Sequence, residues 1–430
     1  MSLLIVLFGL ILLLALIVGK WSPMIALLTV SIITGLLLGM PVAKVISTVS
    51  TGIGSTLGSI VMVLALGAMM GKLIEETGAA KKIVFILIRF FGYKNIQWAI
   101  LLTGLMVGIP LFYNAGFVVL VPLVFAVAAA TRLPLLYLAL PMAASLSVTH
   151  GFLPPHPGPV ALASIFKADV GLILIYGLIL TLPIVIAGGI VFPRLILKRN
   201  MPDPPAEFSP EGEELLPSGL RSFLSALLPV ALIIIGTIGM HFLPASPSKP
   251  FFVFLSDPTV ALLIAVILTI FIQKIPVARA MDSCIEGVKS IAMIILIIAA
   301  GGAFKQVLID SGVGETVKTM SSSIDLSPLF LAWLITALLR VTLGSATVAG
   351  ITAAGIVLPL VGEGGSPELM VLSVGAGSLM FSHINDTGFW MFKEYFKLSL
   401  KQTFSTWTVM ESIVSVMGLL GVLILNEILY

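Results

Sequence analysis

The sequence predicts an all-α polytopic membrane protein made of two inverted-topology repeats, each with a re-entrant hairpin and a broken helix. Three observations carry that expectation. Hydrophobic residues make up 59% of the 430-residue chain and charged residues 10%, with a mean hydropathy of +1.18. Soluble domains carry roughly 25% charged residues, so a soluble fold could not cover this much apolar surface. Apolar runs recur along the whole chain. Finally, a polar motif appears twice, as SLSVTH at 145–150 and SLMFSH at 378–383, about half the chain apart.

Runs long enough to span, about 20 residues each, lie near 2–19, 23–40, 55–74, 170–193, 222–243, 258–273, 285–304 and 405–428. The first 19 residues carry no charge and no cleavage site follows, so they read as a retained first helix. Shorter or interrupted runs fall at 83–91, 96–112, 116–131, 134–149, 328–343, 346–361 and 368–382. Gly, Pro and polar residues interrupt them at matching places in the two halves. Broken helices are tolerated in a bilayer only where protein or a water-filled cavity satisfies the freed backbone. Kinked but ordinary helices are the alternative.

The stretch 194–221 holds Pro202, Pro204, Pro205, Pro210 and Pro217 among acidic residues and reads as a linker. Arg194, Lys198, Arg199 and Arg221 flank it and place it in the cytoplasm, as Lys20 places the first loop. The segment 244–257 carries only Lys249 and Asp257 as charges and fits outside. Residue 1 is then outside, the first half crosses an odd number of times, and the second half is inverted. The expected division is a first membrane repeat at 1–193, the linker at 194–221 and a second repeat at 222–430. Such transporters bind near the midplane at the repeat interface.

Three motif pairs support the repeat. GKLIEETG at 71–78 matches GAFKQVLIDSG at 302–312, with Glu76 and Asp310 each two residues before a glycine. GIPLFYNAG at 108–116 matches GSATVAG at 344–350. The histidine motifs make the third pair. Gly54/Gly58 and Gly67/Gly71 read as helix-packing pairs.

Candidate site residues come from the interruptions. In HGFLPPHPGP at 150–159, Pro154, Pro155 and Pro157 cannot continue a helix, so a helix ends near His150 and frees main-chain groups for a ligand. A loop outside the membrane is the alternative. The matching break carries His383, Asn385, Asp386 and Thr387. A charge at the bilayer centre costs about 2.5–3.5 kcal/mol, which argues for a role for Asp386, although it can also cap an interfacial helix starting near Gly388. Tyr113, Asn114, Ser345 and Thr347 occupy the expected hairpin tips, where main-chain N–H groups can approach an anion.

For proton coupling the candidates are His383, Asp386 and Glu411. His383 and Asp386 are three apart and can share a helix face, so the pair is preferred over Glu411. Arg340 attracts an anion or snorkels. No nucleophile–base or metal-ligand spacing is present, so neither an enzyme nor a metal site is expected, and no cofactor. Cys284 is alone and rules out an intramolecular disulfide. A net charge of +3 gives no reason to expect nucleic acid.

GIPLFYNAGFVVLVPL at 108–123, HGFLPPHPGPVALA at 150–163 and SHINDTGFW at 382–390 make the chain resemble the gluconate permease family of gluconate:proton symporters, within the ion transporter superfamily. The resemblance covers essentially the whole chain. It implies a multi-pass carrier of the bacterial inner membrane that imports gluconate or a related sugar acid with protons. One branch of the family takes D-serine instead. The substrate-binding set expected from the repeat is Tyr113, Asn114, His150, Ser345, Thr347, Asn385 and Thr387. Expected partners are the sugar acid, protons and the lipid bilayer, with homo-oligomerisation left open. A channel would need a continuous polar pore, which the paired interruptions do not favour.

Overall fold

The computed structural model describes residues 2–197, 216–242, 249–313, 326–361, 366–384 and 386–429. Most of the expected linker, and the candidate Asn385, lie outside those residues. The described residues are helical throughout their regular structure. In chain order the first half holds α1 (Ser2–Val18), α2 (Pro23–Leu37), α3 (Val42–Glu76), α4 (Ala79–Phe91), α5 (Ile96–Gly108), α6 (Tyr113–Thr131), α7 (Leu135–Phe152), α8 (Pro157–Phe166) and α9 (Val170–Ile196). The second holds α10 (Gly219–Phe242), α11 (Lys249–Ser256), α12 (Pro258–Gln273), α13 (Val277–Asp310), α14 (Pro328–Leu343), α15 (Ala346–Val357), α16 (Pro367–Gly377), α17 (Thr387–Tyr395) and α18 (Leu400–Leu429). Five helices are long and apolar enough to cross a membrane, or up to seven if each bent pair is one span.

Local sequence explains the breaks. Pro23, Pro157, Pro258, Pro328 and Pro367 sit in first turns, where the missing N–H is no loss. Asp169 and Asp257 cap α9 and α12 through their carboxylates. α5 has 13 residues and α15 has 12; at about 1.5 Å per residue each falls short of a hydrocarbon core about 30 Å thick. Both last helices of the halves widen into a π-helical turn, at Ile186–Val191 and Phe404–Thr408. The expected outside loop 244–257 is in part a helix, α11, bent 76° from α12.

α3, with 35 residues, and α13, with 34, pack against each other along much of their length. α2 lies on α13, and α12 lies on α3. At the crossing, a Cβ on Gly302 would sit 2.7 Å from the Gly52 carbonyl oxygen, so no side chain fits there. Gly54 and Gly58, expected to pack helices, have open space where a Cβ would be; of the other expected pair, a Cβ on Gly71 would sit 2.7 Å from the Pro110 carbonyl oxygen. The expected Gly54/Gly58 pair therefore packs no helix; the close approach between helices is made by Gly52 and Gly302.

Two hydroxyl–carboxylate ties join these helices reciprocally. Thr48 near the start of α3 donates to Asp310 at the end of α13 (2.6 Å), and Ser283 near the start of α13 donates to Glu76 at the end of α3 (2.5 Å). Backbone specials also recur. Gly78 and Gly312 both have φ +74, and Lys167 and Lys397 are left-handed at φ 56 and 52.

Hydrogen bonds to charged groups contribute roughly 1.5–3 kcal/mol, and these carboxylates are partly exposed. Thr48→Val and Ser283→Ala should each lower the melting temperature of the detergent-purified protein. Together they should lower it by the sum of the two, since the ties lie at opposite ends of the helix pair. Unchanged melting in both would show that the ties do not hold α3 to α13.

Candidate functional site

The two broken helices meet at the protein centre. α7 and α16 cross where a Cβ on Gly151 would sit 2.7 Å from the Leu379 side chain, and where Gly375 lies against the Gly151 carbonyl. Beyond α7, the prolines turn the chain into α8. Beyond α16, residues 378–384 are unwound until α17 begins. His156 Nε2 bonds the Gly108 carbonyl at 2.7 Å and ties the first break to the end of α5.

Between these breaks and the tips of α5/α6 and α14/α15 lies a cavity of about 330 Å³, in the range of small-molecule sites. Four helix N-termini open onto it. Tyr113 and Asn114 start α6, Pro157 starts α8, Ser345 to Thr347 start α15, and Asp386 to Gly388 start α17. Each carries the positive end of a helix dipole, which suits an anion. The sequence placed the tips correctly. What it did not show is that all four ends aim at one volume.

One ion pair fixes the second half of the site. Arg340, 2% exposed in the last turn of α14, donates through Nη2 to Asp386 Oδ2. Ser382 donates to the same oxygen, and the Gly388 N–H donates to Oδ1 at 2.9 Å. Asp386, 17% exposed, is therefore both the cap of α17 and the partner of a buried arginine. Trp407 Nε1 donates to Ser382 at 2.8 Å and Thr408 donates to the Ser382 carbonyl at 2.6 Å, linking the network to α18. Arg340 Nε and Nη1 are buried without a hydrogen-bond partner.

Glu411, also 2% exposed, sits on α18 in the cavity wall. Ser147 of α7 donates to its Oε1. His150 reaches the cavity with Nδ1 unpartnered, its ring 6.2 Å from that of Tyr113. Of the expected residues, Tyr113, Asn114, His150, Ser345, Thr347, Asp386, Thr387 and Glu411 line this one cavity. His383 does not; its ring stands against Phe381 instead. The site reading passed over Ser147 and undervalued Arg340. A lone arginine inside an apolar run was the available signal for the second. Ser147 is one of many small hydroxyls and had none.

A larger groove of about 730 Å³ lies on the outer face of α18, lined by residues such as Phe381, Phe404, Val409 and Met417. Its Ser405 and Ser412 hydroxyls turn back onto their own helix. It has no anion-directed group beyond Lys401 at one end. Among the described residues no three His, Cys, Asp or Glu side chains cluster as a metal site.

A charged cavity enclosed by broken helices within a membrane-spanning helical body defines a polytopic transport protein, not an enzyme. The fold is similar to that in the crystal structure of the Alcanivorax borkumensis YdaH transporter, with a TM-score of 0.67 at 15% identity over 95% of this chain and 98% of that one. Residues 1–428 match the model of the GntP family permease, and the chain belongs to that family of bacterial inner-membrane permeases. It is 48% identical to the high-affinity gluconate transporter of Escherichia coli K12 and 48% identical to the Gnt-II system L-idonate transporter of the same strain, in both cases over the full length of the two chains.

Breaking a buried ion pair by removing one partner costs roughly 3–5 kcal/mol. Arg340→Gln and Asp386→Asn should each destabilise the protein strongly, and the double variant should recover part of the loss. Additive losses in thermal melting would show that the two side chains do not depend on each other.

Proposed function

We propose that this permease imports gluconate or a closely related sugar acid together with protons, by alternating access across two inverted repeats at 1–193 and 222–430. The observation that carries the substrate class is the convergence of four helix N-termini and the Arg340 guanidinium on one cavity. A monovalent carboxylate is the matching counter-charge for the Arg340 guanidinium, which has nitrogens without a hydrogen-bond partner. Asn114, Ser345, Thr347 and Thr387 offer bonds to hydroxyls along a polyol chain, and Asn385 is retained as a further candidate. The site has one arginine, and no second cation lines it, so a di- or tricarboxylate would bring charge that nothing offsets. The names of the gluconate and L-idonate relatives support an aldonate over D-serine.

The repeat is supported by the equal order of elements, the exchange of α2 and α12 across the long helix pair, and the reciprocal ties. The linker 194–221 then sits in the cytoplasm.

Charge accounting supports the proton. With both carboxylates ionised the empty cavity holds one positive and two negative side chains: Arg340, Asp386 and Glu411. A sugar acid adds another negative charge to a region where unpaired charge is costly. Co-binding a proton cancels that addition. The hydrogen-bond pattern moves the proposed carrier from the His383–Asp386 pair to Glu411. Asp386 accepts from Arg340, Ser382 and the Gly388 N–H, so its two oxygens are already engaged by three donors, one of them a cation. Glu411 accepts from one hydroxyl and has no cation bonded to it. His383 stands outside the cavity wall.

In proteoliposomes, wild-type protein should accumulate labelled gluconate against its gradient when a proton gradient is imposed. Glu411→Gln should lose that accumulation yet keep counterflow, because exchange requires no net proton movement. Full accumulation by Glu411→Gln, with its loss in His383→Gln, would return the role to the pair. For the substrate, unlabelled gluconate should compete well, with succinate, citrate and D-serine at least tenfold weaker, about 1.4 kcal/mol. Stronger competition by citrate or succinate would overturn the aldonate assignment.

A further inference from the structure

A second cavity of about 220 Å³ abuts the first. It is lined by Lys72 and Glu75 of α3, the Pro110–Phe112 turn, and Glu286, Gly287 and Ser290 of α13. Phe112 and Ser290 also line the central cavity, so these two side chains form the partition between the volumes. Phe112 is the residue just before α6, and no side-chain cap holds it there. Its ring tip lies 3.9 Å from where a Cβ on Gly67 would stand. That glycine leaves room for the ring without a side chain to lock it.

The outer cavity opens to water, since Lys72 and Glu75 are 27% and 31% exposed and Glu286 is 58% exposed. It lies on the face of the protein from which the linker emerges: Leu216, at the linker's end, comes 2.7 Å from a Cβ position on Gly78, just past α3. At the corresponding place in the second half the described residues pack helix on helix. There α15 lies along α13, with Gly355 placing a Cβ 3.3 Å from the Lys305 Cα. On the linker face Phe112 and Ser290 thus stand where the central site adjoins the outer cavity.

We propose that the outer cavity is the release vestibule for the transported anion and that Phe112 is the residue that gates it. The lining chemistry fits release. Lys72 is already engaged by Glu75 at 3.3 Å and Glu76 at 3.6 Å, and Glu286 by Lys289 at 2.7 Å. No free cation remains among these side chains to retain a carboxylate, and the excess of acidic groups repels it toward bulk water. The two cavities therefore divide the work, with Arg340 attracting the anion inside and Glu75 and Glu286 discouraging its return. The ligand in this inference rests on the sugar-acid reading above; the route and the gate do not.

The test places a thiol on the partition. Cys284 is buried and is replaced by alanine, and Ser290→Cys is added. Reconstituted full-length protein is treated with a membrane-impermeant thiol reagent from either side, without substrate. Labelling is expected from the linker side, at least fivefold faster than from the other. Phe112→Ala should accelerate labelling severalfold, and Phe112→Leu, which keeps an apolar side chain of intermediate size, should fall between. Saturating gluconate should slow labelling. Equal labelling from both sides, or faster labelling from the side opposite the linker, would overturn the vestibule. A rate that ignores the size of residue 112 would overturn the gate. Loss of protection by gluconate alone, with sidedness and the Phe112 series intact, would count against the sugar-acid reading and leave the route standing.

Discussion

The buried Arg340–Asp386 ion pair is the interaction on which the rest of the site depends. Neither charge is tolerable alone in an apolar interior, and each end of the pair organises a different element. Arg340 comes from the last turn of α14 and so fixes where the α14/α15 tip stands. Asp386 starts α17 and so fixes where the second broken helix resumes. Ser382 and Trp407 extend the network to α18, which carries Glu411. Three separate segments of the second half are thus set in one geometry by one guanidinium. The same group that ties these segments together also lines the cavity proposed to hold the anion.

The first half reaches the same point without any charge. His156 bonds the end of α5, and the aromatic contacts among Tyr113, His150 and Trp407 hold the first break against α18. Ser147 crosses to Glu411 and is the polar link from α7 to the other half. The cavity therefore has a charged wall and a neutral wall. An acid with a carboxylate at one end and hydroxyls along the rest has the matching polarity.

Around this site the long helices α3 and α13 form a frame. Their close crossing at Gly52 and Gly302 is possible only because neither carries a side chain there. The reciprocal hydroxyl–carboxylate ties then close the two ends. The frame also sets the asymmetry of access. α13 is covered by α15 in one half, while the Phe112 turn leaves a cavity against α3 in the other.

The sequence by itself determined the membrane setting, the helical class, the positions of the breaks and many of the polar side chains that line the cavity. The reason is that these depend on local chemistry. Prolines at 154, 155 and 157 end a helix wherever they occur, and an aspartate followed by Thr387 and Gly388 starts one. Polar residues in apolar runs mark a shielded interior. What only the tertiary structure decided is which of those groups face each other. His383 and Asp386 are neighbours in the chain, yet Asp386 lines the cavity and His383 does not, because the described residues 378–384 are unwound and His383 stands against Phe381. Arg340 and Asp386 are 46 residues apart, and Ser147 and Glu411 are 264 apart; no spacing rule connects either pair. Long-range partners are chosen by how the halves pack, and charge is then assigned by who is near.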